Sequence, residues 1–331
     1  MSVWPLRYVE RTFVPGNVGC SIRLFEVNLL PYSERLNFLN RLSNPLKGFL
    51  YALGGTVLVS TSFVTAKYGL QGFNPETFSL VWTIAAAVYS LLIVLGSGQW
   101  RQMAVSKGAA RDLVLLGVAT GVAMILAWSA LALLDPSFSA FLWRFQPMIA
   151  IVLGALFLRE RLSALEIAAG AVMISGGFLS TIGRWDFVGT GVVLTLLACS
   201  AVGVQMLIAK ARVHEIHPNI LVAYRVSGAS IVVLLWCLLT GKTDLQVERS
   251  YWYVTLLGAF LSPCASFLLT FRSYRYWDLS RSSLVRTIQP LFVLPLAYAV
   301  FGKLPVGKEL LGGGVIMIGA LWLAWIQFTR K

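Results

Sequence analysis

The sequence predicts an all-α polytopic membrane protein of ten transmembrane helices, built as two inverted five-helix repeats. Three observations predict it: an apolar composition, a succession of long apolar runs, and a repeat at one fixed offset. Of 331 residues, 57% are hydrophobic and 12% are charged, with a mean hydropathy of +0.76. A soluble domain carries about 25% charged residues. Half of that leaves too little polar surface for a water-facing globule, and a bilayer is the solvent that suits such a chain.

Residues 1–46 differ in kind from the rest. Arg7, Arg11, Arg23, Arg35 and Arg41 mix there with Glu10, Glu26 and Glu34, and no apolar signal-peptide core appears. They read as a cytoplasmic extension. From Lys47 onward, apolar runs predict spans at 48–66, 77–96, 112–133, 137–158, 163–182, 188–209, 218–240, 252–274, 280–301 and 307–327. Each is about long enough for a ~30 Å hydrocarbon core at ~1.5 Å per residue. Links such as Leu134, Asp135 and Pro136 are short, which implies antiparallel neighbours.

Loop charge sets the orientation. With the N-terminus inside, eighteen Lys and Arg fall on the inner side, six on the outer side and three within spans. The excess predicts both termini cytoplasmic, in a plasma (bacterial inner) membrane. The net charge of +13 has the same origin. No basic stretch interleaves with aromatics in a soluble module, so nucleic acid is not a predicted partner.

The offset is 143 residues. Lys67 answers Lys210, Pro75 answers Pro218, Asp135 answers Asp278, and Ser137 and Ser139 answer Ser280 and Ser282. Gln146 and Pro147 answer Gln289 and Pro290, Glu166 answers Glu309, and Gly170 answers Gly313. The halves are then 47–183 and 184–331. Five spans per half is an odd number, so the second half enters the membrane upside down. Inverted repeats serve alternating access in secondary transporters, with the solute site at the repeat interface. A scaffold made by duplication is the other reading.

The stretch Ala132 to Pro147, the run Gly154 to Ser163 with Glu160, Arg161 and Leu162, and then Gly170, Gly176 and Gly177 resemble the drug/metabolite transporter superfamily, EamA type. Pro290, Gly302, Glu309 and Gly312 to Gly314 repeat the pattern. The resemblance implies ten helices, five plus five inverted, around a central cavity that passes small solutes. Two positions depart from it: Glu160 is answered by Lys303, and an arginine early in the second helix of a half is present as Arg225 but is Trp82 in the first half.

Candidate cavity residues follow from cost. A charge inside a span costs roughly 2.5–3.5 kcal/mol by insertion scales, so it tends to face the bundle interior. Arg144, Arg225 and Arg286 qualify, and long stems reaching toward a near interface are the alternative. No Asp or Glu lies mid-span. Arginines without carboxylates favour an anionic or carboxylate-bearing metabolite. Gln146 and Gln289 can contact solute, or satisfy carbonyls freed by kinks at Pro147 and Pro290. Trp82, Trp128 and Trp143 lie deep; Trp82 and Trp143 join the cavity candidates, with packing as the alternative.

No catalytic constellation, metal site or cofactor motif is visible. Cys20, Cys199, Cys237 and Cys264 contain no C-x-x-C pair. His214 and His217 stand one residue too close for the H-E-x-x-H zinc pattern. The sequence thus predicts a permease for a small-molecule solute, embedded in the lipid bilayer. A lipid or lipid-linked-sugar translocase on the same fold is the nearest alternative, ahead of an embedded enzyme or a scaffold.

Overall fold

The computed structural model describes residues 43–146, 148–149, 163–181, 189–277, 282, 285–302, 305 and 307–329. Residues 1–42 of the extension, Pro147, Glu160, Asp278, Ser280 and Lys303 lie outside the described residues. The described chain is helical. In order it forms α1 (Asn44–Gly69), α2 (Pro75–Gly96), α3 (Lys107–Leu133), α4 (Pro136–Leu142), α5 (Ala164–Thr181), α6 (Thr190–Arg212), α7 (Pro218–Thr240), α8 (Arg249–Tyr276), α9 (Gln289–Phe301) and α10 (Gly307–Thr329). Among the described residues, seven helices are long and apolar enough to cross a membrane, and α5 and α9 contribute shorter apolar helices.

Local chemistry explains where the helices begin. A polar cap followed by proline opens α2, α4 and α7, because proline's missing N–H costs nothing in the first turn. Asn74 accepts from the Thr77 N–H at 2.7 Å, and Asp135 accepts from the Ser137 N–H at 2.8 Å. His217 Nδ1 accepts from the Asn219 N–H at 3.2 Å. Ser163 and Glu166 form a reciprocal box at the start of α5, with the Ser163 N–H on Glu166 Oε2 at 2.8 Å and the Glu166 N–H on Ser163 Oγ at 3.2 Å. Within α1 the buried hydroxyls of Thr56, Ser60 and Ser62 return to carbonyls of their own helix, so no polar group is stranded.

Three helices break inside the bundle. α4 stops at Leu142, turns at Trp143 and Arg144, and resumes helical geometry at Phe145. α9 begins after a turn at Ile288, with Pro290 in its first turn. The expected mid-helix kink at Pro290 is therefore displaced. The break precedes the proline, which sits where its lack of a donor is harmless. α8 widens into a π-helical segment at Phe260–Ser266, around Pro263. Neither that widening nor Pro295, inside α9, was among the expected kinks.

The halves interlock rather than stand apart. α3 packs on α6 and α7, and α8 packs on α1 and α2. α2 meets α7, and α5 meets α10. The α3–α7 crossing is closest at glycine: a methyl carbon placed on Gly117 would lie 2.8 Å from Gly228 Cα. Gly121, one turn on, faces Val232. The repeat is visible in matched contacts too. Lys67 Nζ donates to the carbonyls of Leu131 and Ala132 at 2.9 and 3.1 Å. Lys210 Nζ, its mate, donates to those of Tyr274 and Trp277 at 2.8 and 2.9 Å. Each lysine ties the last turn of the first helix of its half to the end of the third.

Gly228→Leu is expected to wedge α3 from α7 and destabilise the fold by about 1–3 kcal/mol. Thermal unfolding in detergent measures it. His217 gives a pH effect. Burial, then Arg275 and Arg272, hold its imidazole below the ordinary value of 6.5. A lowered folded value means the unfolded chain binds the proton more readily. The cap's contribution is thus present above about pH 6.5 and lost as pH falls through the lowered value. The wild type should unfold at lower temperature at pH 5 than at pH 7.5, and His217→Asn should narrow that difference.

Candidate solute-binding site

A cavity of ≈ 90 Å³ lies in the middle of the bundle. Its walls come from both halves, and the 143-residue offset organises them. Six offset pairs have both members on the wall: Val59 with Val202, Trp82 with Arg225, Thr120 with Pro263, Met124 with Phe267, Trp143 with Arg286, and Gln146 with Gln289. The cavity therefore sits on the interface of the two repeats. A water's share of liquid volume is about 30 Å³, so the space equals roughly three waters. Pockets for drug-sized ligands run to about 300–1,000 Å³.

Six of the seven expected residues line this space: Arg225, Arg286, Gln146, Gln289, Trp82 and Trp143. Arg144 does not. It is 4% exposed and lies behind the wall, where it joins the two broken helices. Its Nε donates to the Ala140 carbonyl at 3.3 Å, its Nη1 to the Arg286 carbonyl, and its Nη2 to Gln289 Oε1 at 2.6 Å. Guanidinium groups only donate. Gln289 must therefore turn its oxygen to Arg144, which leaves its NH₂ as the group available to the cavity. Arg144 works by orienting its neighbour.

The second half supplies cations. Arg225, 1% exposed, lies over the Phe267 ring with 3.6 Å to the centroid, and its Nη2 donates to the Pro263 carbonyl freed by the π segment. Arg286 approaches the same ring at 5.8 Å. Such placement is favourable for a cation over a π face. Arg286 is also the like-charged neighbour of both Arg144 and Arg225. No carboxylate is among the described lining residues. Two ion pairs lie elsewhere, between Arg212 and Asp112 at 2.7 Å and between Arg212 and Glu215 at 2.5 Å.

The first half supplies aromatics. Trp82 and Trp128 meet at 5.0 Å between centroids and 61°, and Phe63 meets Trp143 at 6.5 Å and 83°. Trp128, Phe63 and Phe267 were not among the expected wall residues. Trp128 lies as deep as the candidates that were chosen, and the offset mate of Phe267, Met124, is apolar, so residue type alone gave no signal. Gln205 was missed as well; its amide lies 3.0 Å from Thr120 Oγ1. Gln146 Nε2 donates to Met206 Sδ at 2.7 Å.

Apolar membrane-length helices, inverted as two five-helix repeats about a central cavity, define a multi-pass membrane transporter. The chain belongs to the EamA-like transporter family, which it matches twice, over residues 46–182 and 189–325. Residue 189 lies 143 positions after 46, and 325 lies 143 after 182. Among relatives, it is 29% identical over 132 residues to the "Uncharacterized transporter in cobO 3'region" of Sinorhizobium sp, covering 38% of this chain and 94% of that protein. It is 22% identical over 282 residues to the "Uncharacterized transporter YxxF" of Bacillus subtilis (strain 168), covering 80% of this chain and 88% of that one. A solved crystal structure shares the fold, with TM-score 0.60 at 15% identity over 87% of this chain and 99% of that chain. This is a family of transporters rather than enzymes.

Arg144→Leu is expected to strand Gln289 Oε1 and the Arg286 carbonyl, at a cost of about 2–3 kcal/mol in stability. Arg144→Lys, which keeps a donor, should recover part of it. Unfolding of the two variants in detergent, compared with the wild type, measures both effects.

Proposed function

We propose that the protein is a secondary transporter that carries a small solute with a negatively charged group across the membrane by alternating access. One observation supports the sign of the solute: the guanidinium groups of Arg225 and Arg286 line the cavity with that of Arg144 behind its wall, and no carboxylate stands among its described lining residues. The Ala140 and Arg286 carbonyls accept from Arg144, and the Pro263 carbonyl accepts from Arg225, without cancelling their charge. Holding an unneutralised ion away from water costs several kcal/mol. An anionic solute supplies the missing counter-charge and recovers part of that cost on binding.

Alternating access is supported by the inverted repeats and by a cavity on their shared interface. The matched lysine ties give the two faces equivalent parts. The proposed orientation, with both termini cytoplasmic, rests on the excess of basic residues in the inner loops.

Counterflow in proteoliposomes tests the reading. Vesicles loaded with a small carboxylate should accumulate the labelled form, and its neutral amide should not be accumulated. Arg225→Gln and Arg286→Gln should each cut the rate at least tenfold. Equal flux of the carboxylate and its amide would sink the proposal.

A further inference from the structure

The cavity has two chemically different ends. The helices reach a common face at Gly69, Pro75, Leu133, Pro136, Thr240 and Phe301. Counted from that face at ~1.5 Å per residue, Trp82, Trp128 and Trp143 lie roughly 8–11 Å deep. Arg225 and Arg286 lie roughly 22 Å deep by the same count. The rings therefore occupy one end and the guanidinium groups the other, and the arginine stems bridge much of the gap.

Packing alone does not account for the rings. Trp82 is fully buried, yet its indole Nε1 has no hydrogen-bond partner. Trp128 Nε1 is in the same state, as is Nε of Arg225 at the other end. Each unmade bond on a buried donor costs about 1–3 kcal/mol. Phenylalanine would fill such positions without that cost. Gln205 Nε2 is a fourth orphan on the wall; all four are N–H groups, and Gln289 is turned to offer NH₂ as well. They are covered in this narrow conformation, so a ligand reaches them as the cavity widens around it.

Resting on the reading of an anionic solute, we infer that the solute is an aromatic carboxylate without an ammonium group. Its carboxylate lies between Arg225, Arg286 and the Gln289 NH₂. Its ring lies against Trp82, Trp128 and Trp143, where offset or edge-on aromatic contact adds attraction beyond burial. An ammonium would meet two guanidinium charges and no carboxylate among the described lining residues.

Four matched probes test this by calorimetric binding to the purified full chain in detergent: 3-phenylpropanoate, 3-cyclohexylpropanoate, 3-phenylpropanamide and phenylalanine. The expected result is that 3-phenylpropanoate binds at least tenfold tighter than each of the others. Trp128→Leu should weaken 3-phenylpropanoate more than 3-cyclohexylpropanoate and so close the gap between them, and thermal unfolding of the variant in detergent checks that it is folded. If the two propanoates bind alike and both exceed the amide, the aromatic inference falls and the anion reading stands. If phenylalanine equals 3-phenylpropanoate, exclusion of the ammonium is wrong. If the amide binds as well as its carboxylate, or no probe binds, the anion reading and this inference fail together.

Discussion

Carbonyls freed where helices break in an apolar medium must find donors, and here basic side chains supply them. Arg144 takes the Arg286 carbonyl at the α9 break, and Arg225 takes the Pro263 carbonyl in the π segment of α8. Lys67 and Lys210 take the last carbonyls of α3 and α8. An unsatisfied backbone group in hydrocarbon costs several kcal/mol, so these contacts permit the irregular geometry on which the cavity depends. The same requirement places positive charge at the centre of the molecule. Scaffold and cavity thus draw on one set of side chains.

Duplication supplied the cavity with a symmetric skeleton, and substitution made it asymmetric. Gln146 and Gln289 remain alike, whereas Trp82 stands opposite Arg225 and Trp143 opposite Arg286. A symmetric site would present the same group from both sides and suit a symmetric ligand. This one presents π faces from one half and cations from the other, joined by Phe267, which serves both arginines. The wall therefore runs from aromatic to cationic across the repeat interface.

Much of this was legible in the sequence. The bounds of α7 match the expected span at 218–240, and those of α2 differ by two residues at its start, because polar-cap-plus-proline signals mark both. Four of the six lining candidates, Arg225, Arg286, Gln146 and Gln289, were legible through cost: a charge or amide within an apolar span has few other places to go. Arg144 was not, because hydropathy says that a guanidinium must turn inward without saying whether it meets space or backbone. The α4 and α9 breaks were seen as Gln-Pro pairs but were expected at the proline. The α9 break falls at Ile288, two residues before the proline, which thereby sits in the first turn where its missing N–H costs nothing. The π segment was hidden, since the Thr120 mate of Pro263 bonds back to Leu116 and sits in an unbroken helix.

The interlocking of the halves bears on how the molecule is made. α3 carries its flat glycine face and Thr120 toward partners, α6 and α7, that are synthesised after it. Until they arrive, lipid must stand in, and lipid cannot interdigitate with that face as a shaped helix does. Two separate halves would have to find each other by diffusion, in opposite orientations. One continuous chain fixes their ratio at unity and holds the later helices at a high effective concentration beside the earlier ones. Covalent continuity thereby shortens the interval in which a half-built cavity faces the bilayer.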